Sequence, residues 1–193
     1  TEGMATAAGL PTPELIRLYG IWAKGGAGLL ISGNIQIDRD HLERPGNVII
    51  DAPPSAAMQK ALAQWAQAAT QNNTQFWAQI SHAGRQTMKN VNPHPRAPSA
   101  IPLNMPGGQF GQPVALQNDE IENLTNGFAT AALAVKEAGF TGVQIHAAHG
   151  YLVSQFLSPR SNHRDDHYGG SLENRARFLL QIVKNIFFKV TYC

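Results

Sequence analysis

Two imidazoles three residues apart, His146 and His149, are followed two residues later by the phenol of Tyr151. If that segment turns helically, His146 and His149 share a face. Two imidazole N–H groups aimed at one anionic or carbonyl oxygen make an electrophilic clamp. A phenol beside the clamp can deliver a proton as a general acid. Two other readings stay open here. Both histidines can be satisfied core residues with Tyr151 packed beside them. Alternatively, His146 and His149 can join His163 or His167 in a metal site near the carboxylates Asp165 and Asp166.

Gln79 ends an apolar run, and its side-chain amide offers donor and acceptors together. Such a group complements a ring with alternating N–H and C=O, such as a pyrimidine edge; a surface amide or strand-end cap is the plainer alternative. Gly33 closes another apolar run, where a missing side chain lets a flat ligand approach or simply makes a turn. Arg160, Arg164, Asp165 and Arg175 read as an ion-pair web bracing the loop at Tyr168-Gly169-Gly170, a structural role.

These residues need strands to hold them. Gly142–His146 rises as an apolar run into the His-His-Tyr segment, and 28–33 and 74–80 are similar runs. Helices alternate with them. Thr12 and Pro13 open the first as N-cap and first helical residue, with Leu15, Leu18, Tyr19 and Trp22 on one stripe. Ser55 caps a second, with Met58, Leu62, Trp65 and Ala69 inward. Asp119 and Glu122 suggest a capping box for a third, carrying Ile121, Leu124, Phe128, Ala131 and Val135. Ser171 caps a fourth, with Leu172, Ala176, Leu179, Val183 and Ile186 inward. Between the second and third strands, six of the twelve prolines fall within 93–113, which forbids a helix or central strand there.

The alternation predicts an α/β chain with a parallel sheet. Long loops at the carboxyl ends of three strands point to part of a TIM (β/α)8 barrel, whose chemistry gathers on that face. A doubly wound sheet fits less well, because no Gly-x-Gly-x-x-Gly follows any strand. With 193 residues and 43% apolar content the chain can build one core. Its charge of +2 is not concentrated in any basic run, so nucleic acid and acidic membranes are not expected partners. Cys193 is the single cysteine, so no internal disulfide forms and a cytoplasmic, reducing location is expected. No apolar run is long enough to span a membrane, and the first residues do not read as a signal peptide.

Several segments together resemble the Old Yellow Enzyme (NADH:flavin oxidoreductase) family: Ala78-Gln79-Ile80-Ser81-His82-Ala83-Gly84-Arg85, His146-Ala147-Ala148-His149-Gly150-Tyr151-Leu152, Phe156-Leu157-Ser158-Pro159, Asn162-His163-Arg164, Tyr168-Gly169-Gly170-Ser171 and Glu173-Asn174-Arg175. The resemblance runs from about Thr1 to Ile186. It implies a barrel that binds FMN, accepts hydride from NADH or NADPH, and reduces a small electrophilic alkene. Carried over by motif, His146 and His149 would bind the carbonyl oxygen of an α,β-unsaturated substrate, and Tyr151 would protonate the α-carbon. Gln79 would bond the flavin pyrimidine edge, Gly33 would lie near the ring, and Thr1 would also touch flavin. No metal is implied.

The match covers about β/α units 2 to 4 of the barrel. The first strand would precede Thr1. Some relatives carry a pocket-lining aromatic where this chain has Gly3. The tail 187–193 does not read as the approach to a fifth strand, which would bring an arginine to flavin. Residues 1–193 are therefore expected to form one incomplete barrel domain with a divergent tail. The alternative function is an inactive truncated fragment that cannot hold FMN. Strands 28–33 and 142–146 are expected to lack an outer neighbour, and the open edge is expected to favour self-association.

Overall fold

The computed structural model describes residues 3–192; Thr1, expected at the flavin, lies outside the described residues. In chain order the elements are α1 (Pro13–Lys24), β1 (Leu29–Gln36), β2 (Val48–Ile49), α2 (Ala56–Ala69), β3 (Gln75–Ser81), β4 (Arg96–Ala97), β5 (Val114–Ala115), α3 (Asn118–Glu137), β6 (Gly142–Ile145), α4 (Leu152–Leu157) and α5 (Leu172–Tyr192). Two single-turn 3-10 segments lie at Gln71–Asn73 and Gly84–Gln86.

The main sheet has the order β2-β1-β3-β6, and every pairing in it is parallel. The three expected strands are present with parallel neighbours. One expectation is corrected: β1 is not a bare edge. Ile35 and Gln36 at its carboxyl end pair with Val48 and Ile49 of β2, which the sequence hid because two residues carry no periodicity. β6 is an outer strand of this sheet, and all four of its residues are half-buried.

The core lies between the sheet and its helices. Phe76, Ala78 and Ile80 alternate along β3 and are fully buried. Phe76 stacks on Phe140 at 4.4 Å and meets Tyr19 at 5.2 Å and Trp65 at 5.3 Å between ring centres. On the opposite face of the same strands Leu29, Ile31 and Trp77 stay exposed. Trp77 lies beside Gly142 in register, where a Cβ would come within 2.5 Å of the indole nitrogen. Only glycine admits that ring across β6.

The helix starts follow local chemistry with one exception. Thr12 and Ser55 cap α1 and α2 by accepting from Leu15 N and Met58 N, both at 3.3 Å. The box expected from Asp119 and Glu122 sits two residues earlier: Glu120 reaches back to accept from Gln117 N at 2.7 Å. On α5 the buried residues are Phe178, Ile182 and Ile186; of the expected stripe Ile186 is inward and Leu179 packs against the core, but Leu172 and Val183 are exposed. Phe178 stacks against Phe156 at 4.4 Å and meets Phe128 at 6.4 Å, which fixes the rotation of the helix. The tail set apart by sequence continues α5 to Tyr192.

The proline-rich excursion is anchored rather than structureless. β4 pairs with β5 in parallel, two residues each, next to Pro98 and Pro113. Arg164 staples it: Nη1 donates to Pro98 O at 3.1 Å and Leu116 O at 2.6 Å, and Nη2 donates to Asn118 Oδ1 at 2.9 Å. The arginine web is structural, as expected, but its membership differs. The carboxylate paired with Arg164 is Asp166, at 2.5 Å, not Asp165. Arg175 donates to the carbonyls of Leu157 and Gly170.

Candidate active site

Parallel pairing lines up the expected residues at one end of the sheet. Asn34 stands beside Gln79, and Gln79 beside Gln144. His146 N donates to Ile80 O at 2.9 Å, so the histidine loop leaves β6 directly beside the exit of β3. Gly33, Gln79 and His146 thus sit at the carboxyl ends of three adjacent strands, where α/β proteins place chemistry.

Gly33 lies in a bulge. The pairing of β1 with β3 gains one residue between Ile31 and Asn34. Gln79 N donates to Ser32 Oγ at 2.8 Å, so a side chain replaces the missing ladder acceptor. Gly33 N donates to Tyr19 Oη at 3.1 Å, and Tyr19 Oη donates to Ile31 O at 3.2 Å. A phenol from α1 therefore holds the irregular backbone in place.

Gln79 Nε2 donates to Gln144 Oε1 at 2.5 Å. With the amides oriented that way, Gln79 Oε1 and Gln144 Nε2 remain as an acceptor next to a donor, without a partner among the described residues. That alternation matches a ring edge carrying N–H and C=O. The residues present therefore fit the pyrimidine side of a flavin, with Gln144 as a candidate the sequence reading did not name. Its signal was available: it lies on β6 two residues before His146, in the run that leads into the histidine loop.

His146 is 6% exposed, whereas His149 is exposed and Tyr151 half-buried. His146 Nδ1 accepts from Ala148 N at 3.3 Å, which leaves Nε2 as the N–H of the neutral ring. The His146 ring lies 5.1 Å from that of His149 and 4.8 Å from that of Tyr151, edge to face in both cases. The segment does not turn helically, so the condition set above for a shared face is not met. His149 and Gly150 adopt φ values of +56° and +76°, and this left-handed turn brings the rings together. Gln155, 1% exposed, pins the turn: its Nε2 donates to Gly150 O at 2.7 Å and Ala83 O at 3.2 Å. Gln86 Nε2 adds a bond to His149 O at 2.6 Å.

Glu43 is the largest omission of the sequence reading. Tyr151 Oη donates to Glu43 Oε2 at 2.5 Å, across 108 residues. No local pattern could pair them. Glu43 and Tyr151 line a cavity of about 440 Å³ with Arg44, Gln86, Met88 and Phe110.

A second polar cluster lies nearby, at the other end of the same loop. Asp38, His41 and His82 bring three ligand-type atoms within 4.8 Å of one another. Hydrogen bonds argue against a metal there. His41 Nε2 accepts from Arg96 N at 2.8 Å and His82 Nδ1 accepts from Gly84 N at 3.1 Å. Each ring thus carries its proton on the nitrogen facing Asp38, where a metal would need a lone pair. His41 Nδ1 lies 2.7 Å and His82 Nε2 3.6 Å from Asp38 Oδ2, and the two rings stack at 4.5 Å. Burial pushes His82 down to about 4, reinforced by neighbouring His41. Burial alone would raise the Asp38 carboxyl, but the two imidazoles outweigh it and hold it well below the usual carboxylate range. The cluster is a clamp that ties the loop to β3. The loop carrying His163 and His167 forms no such group among the described residues.

Among the described residues, no helix is long and apolar enough to cross a membrane. Comparison with known proteins identifies the family. The chain is 44% identical over 189 residues to the NADH-dependent flavin oxidoreductase nadA of Aspergillus parasiticus, covering 94% of this chain and 42% of that protein. It is 38% identical to an NADH oxidase of Thermoanaerobacter brockii, covering 95% of this chain and 28% of the relative. Among solved structures, an old yellow enzyme homologue from Zymomonas mobilis superposes with a TM-score of 0.86 at 34% identity, over 98% of this chain and 54% of that one. Morphinone reductase in complex with tetrahydroNAD gives 0.85 at 30% identity, over 99% and 55%. The chain thus spans about half of these barrels and less than half of the two sequence relatives. With the family's sequence model matching residues 4–191, the chain belongs to the NADH:flavin oxidoreductase / NADH oxidase family.

Proposed function

We propose that this chain carries the substrate-activating half of an FMN-dependent NAD(P)H oxidoreductase that reduces the double bond of α,β-unsaturated carbonyl compounds. The observation that carries the reading is the grouping of His146, His149 and Tyr151 beside the Gln79–Gln144 amide pair. Bound FMN would supply the hydride, taken first from NADH or NADPH. The Nε2–H of His146 and the imidazole of His149 donate to the carbonyl oxygen, drawing electron density from the alkene. Tyr151 delivers a proton to the α-carbon. Gln79 and Gln144 hold the pyrimidine edge, and the bulge at Gly33 leaves room beside the ring. Thr1 is assigned to the flavin by motif alone.

Two measurements test this. First, the full chain is titrated with FMN and its visible absorbance and fluorescence followed. Uptake of flavin supports the reading; a chain that stays colourless supports an inactive fragment instead. Second, in the flavin-loaded protein, Tyr151→Phe should slow alkene reduction by roughly 10² to 10⁴ while flavin reduction continues at a similar rate. Equal slowing of both half-reactions in rapid mixing would make Tyr151 a structural residue.

A further inference from the structure

Glu43 comes from the loop between β1 and β2 and ends in a ring of neutral donors. Its Oε2 accepts from Tyr151 Oη and from Asn34 Nδ2, each at 2.5 Å. Its Oε1 accepts from Asn47 Nδ2 at 3.4 Å, and that amide also donates to Asn34 O at 3.3 Å. Asn34 and Asn47 are 6% and 1% exposed, so the carboxylate is seated on a rigid, buried base. Among the described residues no Lys, Arg or His nitrogen lies within ion-pair distance of it. The charged and titratable groups around the pair are few. Arg44 shares the cavity from Glu43's own loop, and at the exit of β6 His146 lies against Tyr151 while His149 lies against His146. The exit of β3 presents Gln86, and the excursion presents Met88, Gln109 and Phe110, all neutral.

That geometry has a consequence for the acid. While Glu43 is a carboxylate, it takes the Tyr151 proton in a hydrogen bond. A phenolate formed beside it would face a like charge, which disfavours ionisation. Once Glu43 is protonated, its O–H can donate instead, and the phenol hydrogen is released toward the cavity.

We infer that Glu43 is a positioning residue that gates and reloads Tyr151, in an inference resting on the reading of Tyr151 as the acid. The proton inventory closes. The Tyr151 O–H bond breaks as the substrate C–H bond forms. The Glu43 O–H bond then breaks as Oη–H re-forms, and the carboxylate recovers a proton from water through the cavity that both residues line.

The test uses the full chain with tyrosine labelled with carbon-13 at Cζ. Its four tyrosines, Tyr19, Tyr151, Tyr168 and Tyr192, give few signals, and Tyr151→Phe assigns the relevant one. In the unmodified chain the Tyr151 signal should shift as Glu43 is titrated. In Glu43→Gln that shift should vanish, and the phenol should ionise about one pH unit or more lower, because the like charge has gone. A Tyr151 signal identical in both proteins overturns the inference. If Glu43→Gln does not fold, the unmodified chain still decides: a Tyr151 signal flat through the acid range overturns it. In the flavin-loaded protein, Glu43→Gln should flatten the pH profile of alkene reduction and leave flavin reduction unchanged. Equal slowing of both half-reactions by Tyr151→Phe removes the reading of Tyr151 as acid even with the Glu43 coupling intact; loss of the coupling alone removes only this inference.

Discussion

The loop between β1 and β2 carries two carboxylates with opposite fates. Asp38, near its start, is clamped between His41 and His82, whose far nitrogens are each taken by a backbone N–H. Glu43, near its end, is held by neutral amides and one phenol, and it opens on a cavity. The first cluster also borders a cavity, of about 480 Å³, but both of its tautomers are dictated by backbone donors. In the second, a phenol and two side-chain amides hold the carboxylate, with no imidazole among them. Similar side chains therefore divide into an anchor and a candidate reaction centre by what surrounds them, and the anchor holds the loop so that Glu43 reaches Tyr151.

The sharpest break of this comparison is Asp38→Ala. It leaves the N–H groups of His41 and His82 that face Asp38 without their acceptor, on rings that are almost wholly buried. A loss of about 2–4 kcal/mol is expected, read as a lower denaturant midpoint at unchanged slope. A change below about 1 kcal/mol would mean that the cluster is no anchor.

Acid should break the anchor in a defined order. The folded His82 value of about 4 lies below its ordinary 6.5, so the unfolded chain binds more protons between those values. Stability should therefore fall as pH drops through that window, by on the order of 2–3 kcal/mol for this group. Asp38, whose folded value is depressed, contributes stability that is present above its ordinary value near 4 and lost below it. Urea midpoints from pH 7 to pH 4 check the sign, and His82→Gln should shrink the slope. A profile as steep in that variant would place the dependence on other groups.

At the open cluster, Tyr151→Phe should cost only about 1 kcal/mol of stability, since Glu43 keeps its Asn34 bond. The contrast with Asp38→Ala is the point: the candidate acid should be dispensable for folding.

Local chemistry made half of this readable from sequence. Thr12 and Ser55 act as caps because capping is decided within a turn. Gln79, His146 and Tyr151 could be placed because strand ends mark where barrels do chemistry. Long-range partners could not. Glu43, seated on Asn34, meets Tyr151 only after β1 and β6 are aligned on either side of β3. The rotation of α5 was ambiguous for a related reason. Leu172, Leu180, Val183, Phe187 and Phe188 put apolar residues on its outer side too, and only contact with Phe128 and Phe156 selects Phe178 and Ile182 as inward.

The smallest expected effect bears on strain. His149 is held at φ +56°, a region that costs a side-chain-bearing residue on the order of 1 kcal/mol. Its side chain is exposed, and its carbonyl is fixed by Gln86 whatever the side chain. Glycine at that position removes the strain but widens the unfolded ensemble, and the two effects nearly offset. His149→Gly should thus change stability by less than about 1 kcal/mol, with a gain the better match to strain. If His149 is the second donor of the oxygen clamp, the same substitution should weaken the binding of a phenolic ligand to the flavin-loaded protein by tenfold or more, the worth of about one charge-assisted hydrogen bond. Stability held and ligand binding lost would show a backbone strain retained for the clamp. Stability lost with binding intact would instead make His149 a packing partner of His146, and the site would then act through one imidazole.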